Sequence, residues 1–273
     1  MKLSEAQIRQ YHEQGYLFPI RALAPEAAAS YRQKLEGFEA QGGAVQEGLR
    51  HKPNLLFTFL DELVREPAVL DAVEGVIGPN ILCWASSFFT KEARSTSYIT
   101  WHQDLTYWGL EPAEIVTAWI ALSPSTVASG AMRVIPGTHT QEVVVHQDTF
   151  AEGNLLSRGQ EIAVEVDESL AVDVVLQPGE MSLHHVKLFH GSSSNTSDDR
   201  RIGFAVRYLP THVRQVVGEK DSALLVRGVD AHGHFEPETP PVADLDPAAI
   251  AQHRATWERQ AAVLYRGTDR APR

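Results

Sequence analysis

The chain has 273 residues, 43% of them hydrophobic, 22% charged and 8% aromatic, which is the profile of a folded globule and excludes a disordered, collagenous or coiled-coil chain. Thirty-five acidic against 24 basic residues give a formal charge of -11, a field that repels a phosphate backbone and argues against nucleic acid or an anionic membrane as partner. One cysteine, Cys83, cannot close an internal disulfide, and with no apolar run of about 18 residues and no apolar leader at Met1–Glu5, a reducing, cytoplasmic location is expected.

In chain order, Ser4 is placed to cap a helix carrying Ile8, Tyr11 and His12 that stops at Gly15, and Tyr16-Leu17-Phe18 reads as extended. A helix is expected from Pro25 to about Ala40, closed by Gly42-Gly43, and helical spacing returns over Leu55–Arg65 and after Pro67. From Ile81 the pattern turns to β-branched and aromatic runs: 81–90, 97–102, 115–122, 132–135, 161–166, 172–176, 181–190 and 202–209. Ser123-Pro124, Pro136-Gly137 and Pro178-Gly179 supply turns between them. About eight short strands so punctuated predict a mainly β fold with flanking helices, a double-stranded β-helix of the jelly-roll, cupin-like kind. One domain over 1–273 is expected: a helical part at about 1–78, the jelly-roll core at about 79–210, a segment at 211–241 long enough to be a lid, and a C-terminal helix at about 246–266.

The sharpest local feature is Trp101-His102-Gln103-Asp104, at a strand end. Residues i and i+2 of a strand project to one face, so His102 and Asp104 could grip one metal ion. Residues 183–192 offer His184, His185 and His190 as further donors. His190 is the best third ligand, His184 its rival by strand parity, and His185 points the other way. Two imidazoles and one carboxylate leave three positions open on an octahedral ion, the facial triad of non-heme Fe(II) oxygenases. Such an iron needs a two-electron co-substrate, commonly 2-oxoglutarate, whose distal carboxylate calls for a guanidinium on rigid backbone. Arg201 opens a strand in which Arg201, Gly203, Ala205 and Arg207 share a face, the small residues leaving space for a ligand. Arg207 either meets a buried carboxylate or recognises an anionic substrate. Tyr107 and Trp108 either stack on a substrate or cover the barrel mouth. His232-Gly233-His234, in a Gly/Pro-rich loop, reads as a solvated pair despite its metal-like spacing.

Taken with Val134-Ile135-Pro136-Gly137-Thr138-His139, Ala118-Trp119 and His190-Gly191-Ser192 followed by Asn195 and Arg201, the chain resembles the phytanoyl-CoA dioxygenase family of Fe(II)/2-oxoglutarate-dependent oxygenases over roughly Leu55–Tyr208. The resemblance implies His102, Asp104 and His190 as iron ligands and Arg201 as the 2-oxoglutarate anchor. Ser192 matches a hydroxyl on the same carboxylate, and Trp119, with Thr117 on its face, lies beside the co-substrate. Lys52 stands where the family contributes a lysine from before the core. Asp104 favours hydroxylation, because halogenating relatives lack that carboxylate.

The expected activity is a dioxygenase that uses Fe(II), 2-oxoglutarate and O2 to hydroxylate an unactivated C–H bond of a small metabolite, releasing succinate and CO2. Demethylation or desaturation would begin the same way. With no Lys/Arg cluster suited to a polyphosphate, a small molecule is favoured over acyl-CoA. The alternative is a non-redox cupin-like metal hydrolase or isomerase, which has no need of a dicarboxylate anchor.

Overall fold

The computed structural model describes residues 2–42 and 50–270, so Gly43 of the expected helix-closing pair lies outside the described residues. Helix α1 (Glu5–Gln14) starts in a capping box, where Ser4 Oγ accepts from Gln7 N–H and the Gln7 side chain accepts from Ser4 N–H. Strand β1 (Tyr16–Arg21) follows, then helices α2 (Pro25–Ala40), α3 (Thr58–Val64) and α4 (Pro67–Ile77). The strands continue as β2 (Ile81–Lys91), β3 (Ile99–His102), β4 (Leu110–Glu111), β5 (Val116–Ala121), β6 (Met132–Val134), β7 (His146–Asp148) and β8 (Gln160–Ile162). Next come β9 (Val172–Val174), β10 (Glu180–His185), β11 (His190–Ser192), β12 (Arg201–Pro210), β13 (Arg214–Gln215), β14 (Ser222–Arg227) and β15 (Glu236–Pro237), before the last helix, α5 (Pro247–Leu264).

A seven-stranded sheet in the order β1-β10-β5-β12-β2-β14-β15 faces a four-stranded sheet in the order β3-β11-β6-β9, which is the expected jelly roll. Trp119 and Ala205 of the large sheet pack with Met132, Val134 and Val174 of the small one to fill the space between. The outer face of the large sheet, through Ile202, Phe204, Val206 and Tyr208, packs on Leu60, Leu63, Val69 and Val73 of the helices. With both faces covered, all ten residues of β12 are buried, which explains why its text is nearly continuous in apolar and small residues.

The structure adds to the expected elements in three places. The apparent strand 181–190 is two, β10 and β11, separated by a turn in which Leu188 N–H donates to His185 O at 2.9 Å; the turn carries the chain from the large sheet to the small one. The helical N-terminal part contributes β1 as an edge of the large sheet. The segment 211–241 contributes a strand to the large sheet. Its apolar run at Ala223-Leu224-Leu225 forms β14 and pairs with β2, Leu224 opposite Cys83, because burying Ala223 and Leu224 covers an otherwise open sheet edge. Among the described residues no helix is long and apolar enough to cross a membrane.

Candidate metal centre and co-substrate pocket

His102 ends β3 and Asp104 begins a short 3₁₀ turn, so the chain bends between them. Gln103 holds that bend from a fully buried position: its amide donates to Lys187 O at 2.9 Å and its carbonyl accepts from Val144 N–H at 2.9 Å. Asp104 N–H donates to Val186 O at 3.0 Å. Strand pairing sets His190 directly opposite His102, their ring centroids 4.0 Å apart. Asp104 Oδ1 then lies 3.4 Å from His102 Nε2 and 3.9 Å from His190 Nε2, and donor atoms of the three residues all fall within 4.8 Å of one another.

Both imidazoles are held in one tautomer. His102 Nδ1 sits 2.9 Å from Thr100 O and His190 Nδ1 2.9 Å from Leu188 O; a carbonyl only accepts, so each Nδ1 carries the proton and each Nε2 presents its lone pair. His184, the rival, comes as near to Asp104, its Nε2 4.0 Å from Oδ2, but it falls outside the three-donor group and its buried Nδ1 has no partner among the described residues. Burial, reinforced by His102, holds the His190 imidazole well below the usual histidine range, and burial lowers His184 to about 4. Burial alone would raise the Asp104 carboxyl, but the neighbouring His102, His190 and Arg207 outweigh it and hold it below the usual carboxylate range, an anion. Neutral imidazoles beside a carboxylate, with tautomers already set, form a donor set suited to a divalent first-row metal.

Next to this cluster lies a pocket lined by the buried Arg201, with a buried lysine behind its Ser192. Arg201, 1% exposed, donates to Gly130 O and has an unpartnered Nε. Directly across the β2–β12 pairing is Lys91, 0% exposed, donating to Ser192 Oγ at 2.7 Å and to Ser193 O. Burial and the facing Arg201 push Lys91 down to about 6, and burial lowers Arg201 to about 10. Among the described residues neither has a carboxylate partner. A desolvated guanidinium and the Ser192 hydroxyl, which Lys91 holds from behind, line the pocket without a counterion and suit a carboxylate. The Trp119 ring stands over Arg201, 5.3 Å from guanidinium carbon to ring centroid, in space that opens only because residue 203 is glycine: a Cβ there would lie 1.8 Å from Trp119 Cζ2. Asp104, His190, Thr117, Trp119, Ser192 and Arg201 all line this one small cavity.

Two expected site residues lie elsewhere. Lys52 is a correction: its ammonium meets Glu238 Oε1 at 2.5 Å and Ser222 O at 2.8 Å, a buried ion pair that leaves it no charge to offer the co-substrate. Tyr107 is another, because its hydroxyl donates to Asp148 at 2.6 Å and the Arg158 guanidinium covers its ring at 4.1 Å. Its neighbour Trp108, not Tyr107, lines the larger cavity of about 230 Å³ outside the metal cluster. Arg207 stands between the two cavities and lines both. His232 and His234 stack on each other at 5.4 Å, with His232 exposed. Sequence reading missed Lys91, which falls one residue past the strand expected at 81–90; the alternation Ser87, Phe89, Lys91 was the only signal. It also missed that α5 supplies Trp257 and Gln260 to the larger cavity.

A jelly roll with an inward His-x-Asp…His cluster beside a buried cationic pocket has the architecture of the non-heme metal oxygenases. The profile described as phytanoyl-CoA dioxygenase (PhyH) matches residues 11–203, and the chain belongs to that family. It is 30% identical over 178 residues to the probable alpha-ketoglutarate-dependent hypophosphite dioxygenase of Stutzerimonas stutzeri, a match covering 62% of this chain and 61% of that protein. It is 30% identical over 139 residues to the peroxisomal phytanoyl-CoA dioxygenase of Homo sapiens, covering 50% of this chain and 41% of that protein. The chain thus spans about two to three fifths of the length of these curated relatives. The solved apo structure of the non-heme monooxygenase ThoJ superposes with a TM-score of 0.84 at 35% identity, covering 94% of this chain and 97% of that one.

Proposed function

We propose that this protein is an Fe(II)- and 2-oxoglutarate-dependent dioxygenase that hydroxylates a C–H bond of a small molecule. The observation that carries this reading is the buried Arg201, without a carboxylate partner among the described residues, beside the three-donor cluster and faced across the β2–β12 pairing by the buried Lys91. In this reading His102, Asp104 and His190 hold the metal, and the hydrogen bonds from His102 and His190 to Thr100 O and Leu188 O keep both rings aimed. Arg201 and Ser192 receive the distal carboxylate of 2-oxoglutarate, with Lys91 holding the Ser192 hydroxyl, while Trp119 and Thr117 wall its carbon chain. Bound Fe(II), with 2-oxoglutarate and O2, supplies the oxidising power, one oxygen atom going to succinate as CO2 leaves and the other to the substrate carbon. The protein's own work is to keep water out: Trp84, Phe89 and Trp108 line the approach, so the oxidant meets substrate and not solvent. A non-redox hydrolase or isomerase would need the donor cluster but gives Arg201 and Lys91 no task.

Titrating 2-oxoglutarate into Fe(II)-loaded protein under argon tests the reading. Removing one member of a buried charge-assisted pair costs about 3–5 kcal/mol, so Arg201→Ala should weaken 2-oxoglutarate binding by about 10²-fold or more. Equal affinity in wild type and Arg201→Ala would remove the co-substrate from this pocket.

A further inference from the structure

The buried cation Arg207 lines both cavities, and binding of the co-substrate by Arg201 and Ser192 gives it no task. It shares the inward face of β12 with Arg201, because the register irregularity in the β2–β12 pairing falls only after Arg207. It is 9% exposed, donates to Ser87 Oγ, and has an unpartnered Nε among the described residues. Its guanidinium faces two aromatic rings, Phe89 at 5.4 Å and Trp108 at 5.9 Å. No carboxylate among the described residues pairs with it. Asp104 shares both cavities with it but is engaged with His102 and is a metal donor in the reading above. Glu92, at the larger cavity, is held by Arg200 at 2.7 Å. A desolvated guanidinium with no carboxylate hydrogen-bonded to it among the described residues, at the junction of the larger cavity and the metal cluster, is disposed to take a closer counterion from a ligand.

Resting on the oxygenase reading, we propose that Arg207 is the specificity residue for the prime substrate, and that this substrate is a small organic monoanion whose carboxylate pairs with Arg207 while its apolar body lies against Trp84, Phe89 and Trp108. One guanidinium and one hydroxyl, that of Ser87, match one carboxylate; the other guanidinium that lines the cavity, Arg50, is engaged in an interaction of its own and is only part-buried. The pairing sets carbons near the carboxylate, and not the far end of a long acyl chain, next to Asp104.

The probes are 3-phenylpropanoate and its uncharged isostere 3-phenylpropanamide, titrated calorimetrically into wild-type protein and Arg207→Gln, each with saturating 2-oxoglutarate under argon so that the Arg201 pocket is filled. A hydrogen bond to a charged partner contributes about 1.5–3 kcal/mol, so wild type should bind the acid at least about tenfold more tightly than the amide, and Arg207→Gln should bind the two alike. Equal affinities in wild type overturn the proposal without recourse to any variant, as does a preference for the acid that survives in a folded Arg207→Gln. If 2-oxoglutarate fails to bind while the acid preference still depends on Arg207, the oxygenase reading falls and the anion site stands. If 2-oxoglutarate binds but the acid preference is absent, the reverse holds.

Discussion

The two histidines that face Asp104 differ from His184 by one hydrogen bond. Backbone carbonyls fix the protons of His102 and His190 on Nδ1, whereas His184 Nδ1 has no partner among the described residues to set its tautomer. His190→Ala and Asp104→Ala should therefore lose stoichiometric metal in an anaerobic Fe(II) titration, while His184→Ala keeps it to within about tenfold in affinity; metal retained in His190→Ala but lost in His184→Ala would exchange their roles. Lys91 gives a pH signature. Its pKa of about 6 beside Arg201 rises when a carboxylate arrives, so above pH 6 the complex holds more protons than the free protein. Affinity for 2-oxoglutarate should accordingly fall as pH rises from about 6, with proton uptake seen as a buffer-dependent binding enthalpy that vanishes in Lys91→Met. The same enthalpy in that variant would remove Lys91 from the pocket. At this scale legibility followed proximity in sequence. His102 and Asp104 announce each other two residues apart, but Lys91 acts by facing Arg201 across a strand pairing, and register cannot be read from one chain.

Strand β12 shows what one element can carry. Its outward residues pack on helices while its inward face presents Arg201, Gly203, Ala205 and Arg207 to the two cavities. Gly203 is the point of closest approach, with Trp119 where a Cβ would stand. Gly203→Ala should cost about 1–3 kcal/mol of overpacking, lower Tm by roughly 2–10 °C and weaken 2-oxoglutarate binding by displacing the ring that covers Arg201; unchanged Tm and affinity would show that Trp119 has room to move. The alternation of β12 was readable because both faces are buried and the pairing irregularity spares the stretch that matters. The run 181–190 misled because His185 to Phe189 turns without any glycine or proline to mark the change of sheet. The run at 222–227 was passed over because Gly218, Gly228 and nearby prolines dominate that segment, although its apolar residues close the edge of β2.

At the scale of the whole molecule, the cavity outside the metal cluster is closed by the chain's last helix. Trp257 and Gln260 of α5 line it, and the end of the helix is tied down by Arg158, which donates to Leu264 O and Arg266 O at 3.1 Å each while paired with Asp148. A cation on the final carbonyls also suits the negative end of the helix dipole. Arg158→Ala should speed hydrogen exchange in α5 by about tenfold to a hundredfold with little change in the sheets; uniform acceleration throughout the protein would make α5 part of the cooperative core instead of a cover. The helical layer, the two sheets and this cover converge on one reaction centre, so the most direct test is a reaction balance. Purified protein supplied with 2-oxoglutarate and O2 should release succinate only when Fe(II) is added, and Asp104→Ala, with a folded circular dichroism spectrum, should release none. Succinate formation that persists in Asp104→Ala, or its absence from iron-loaded wild type even with a substrate that binds, would contradict the account.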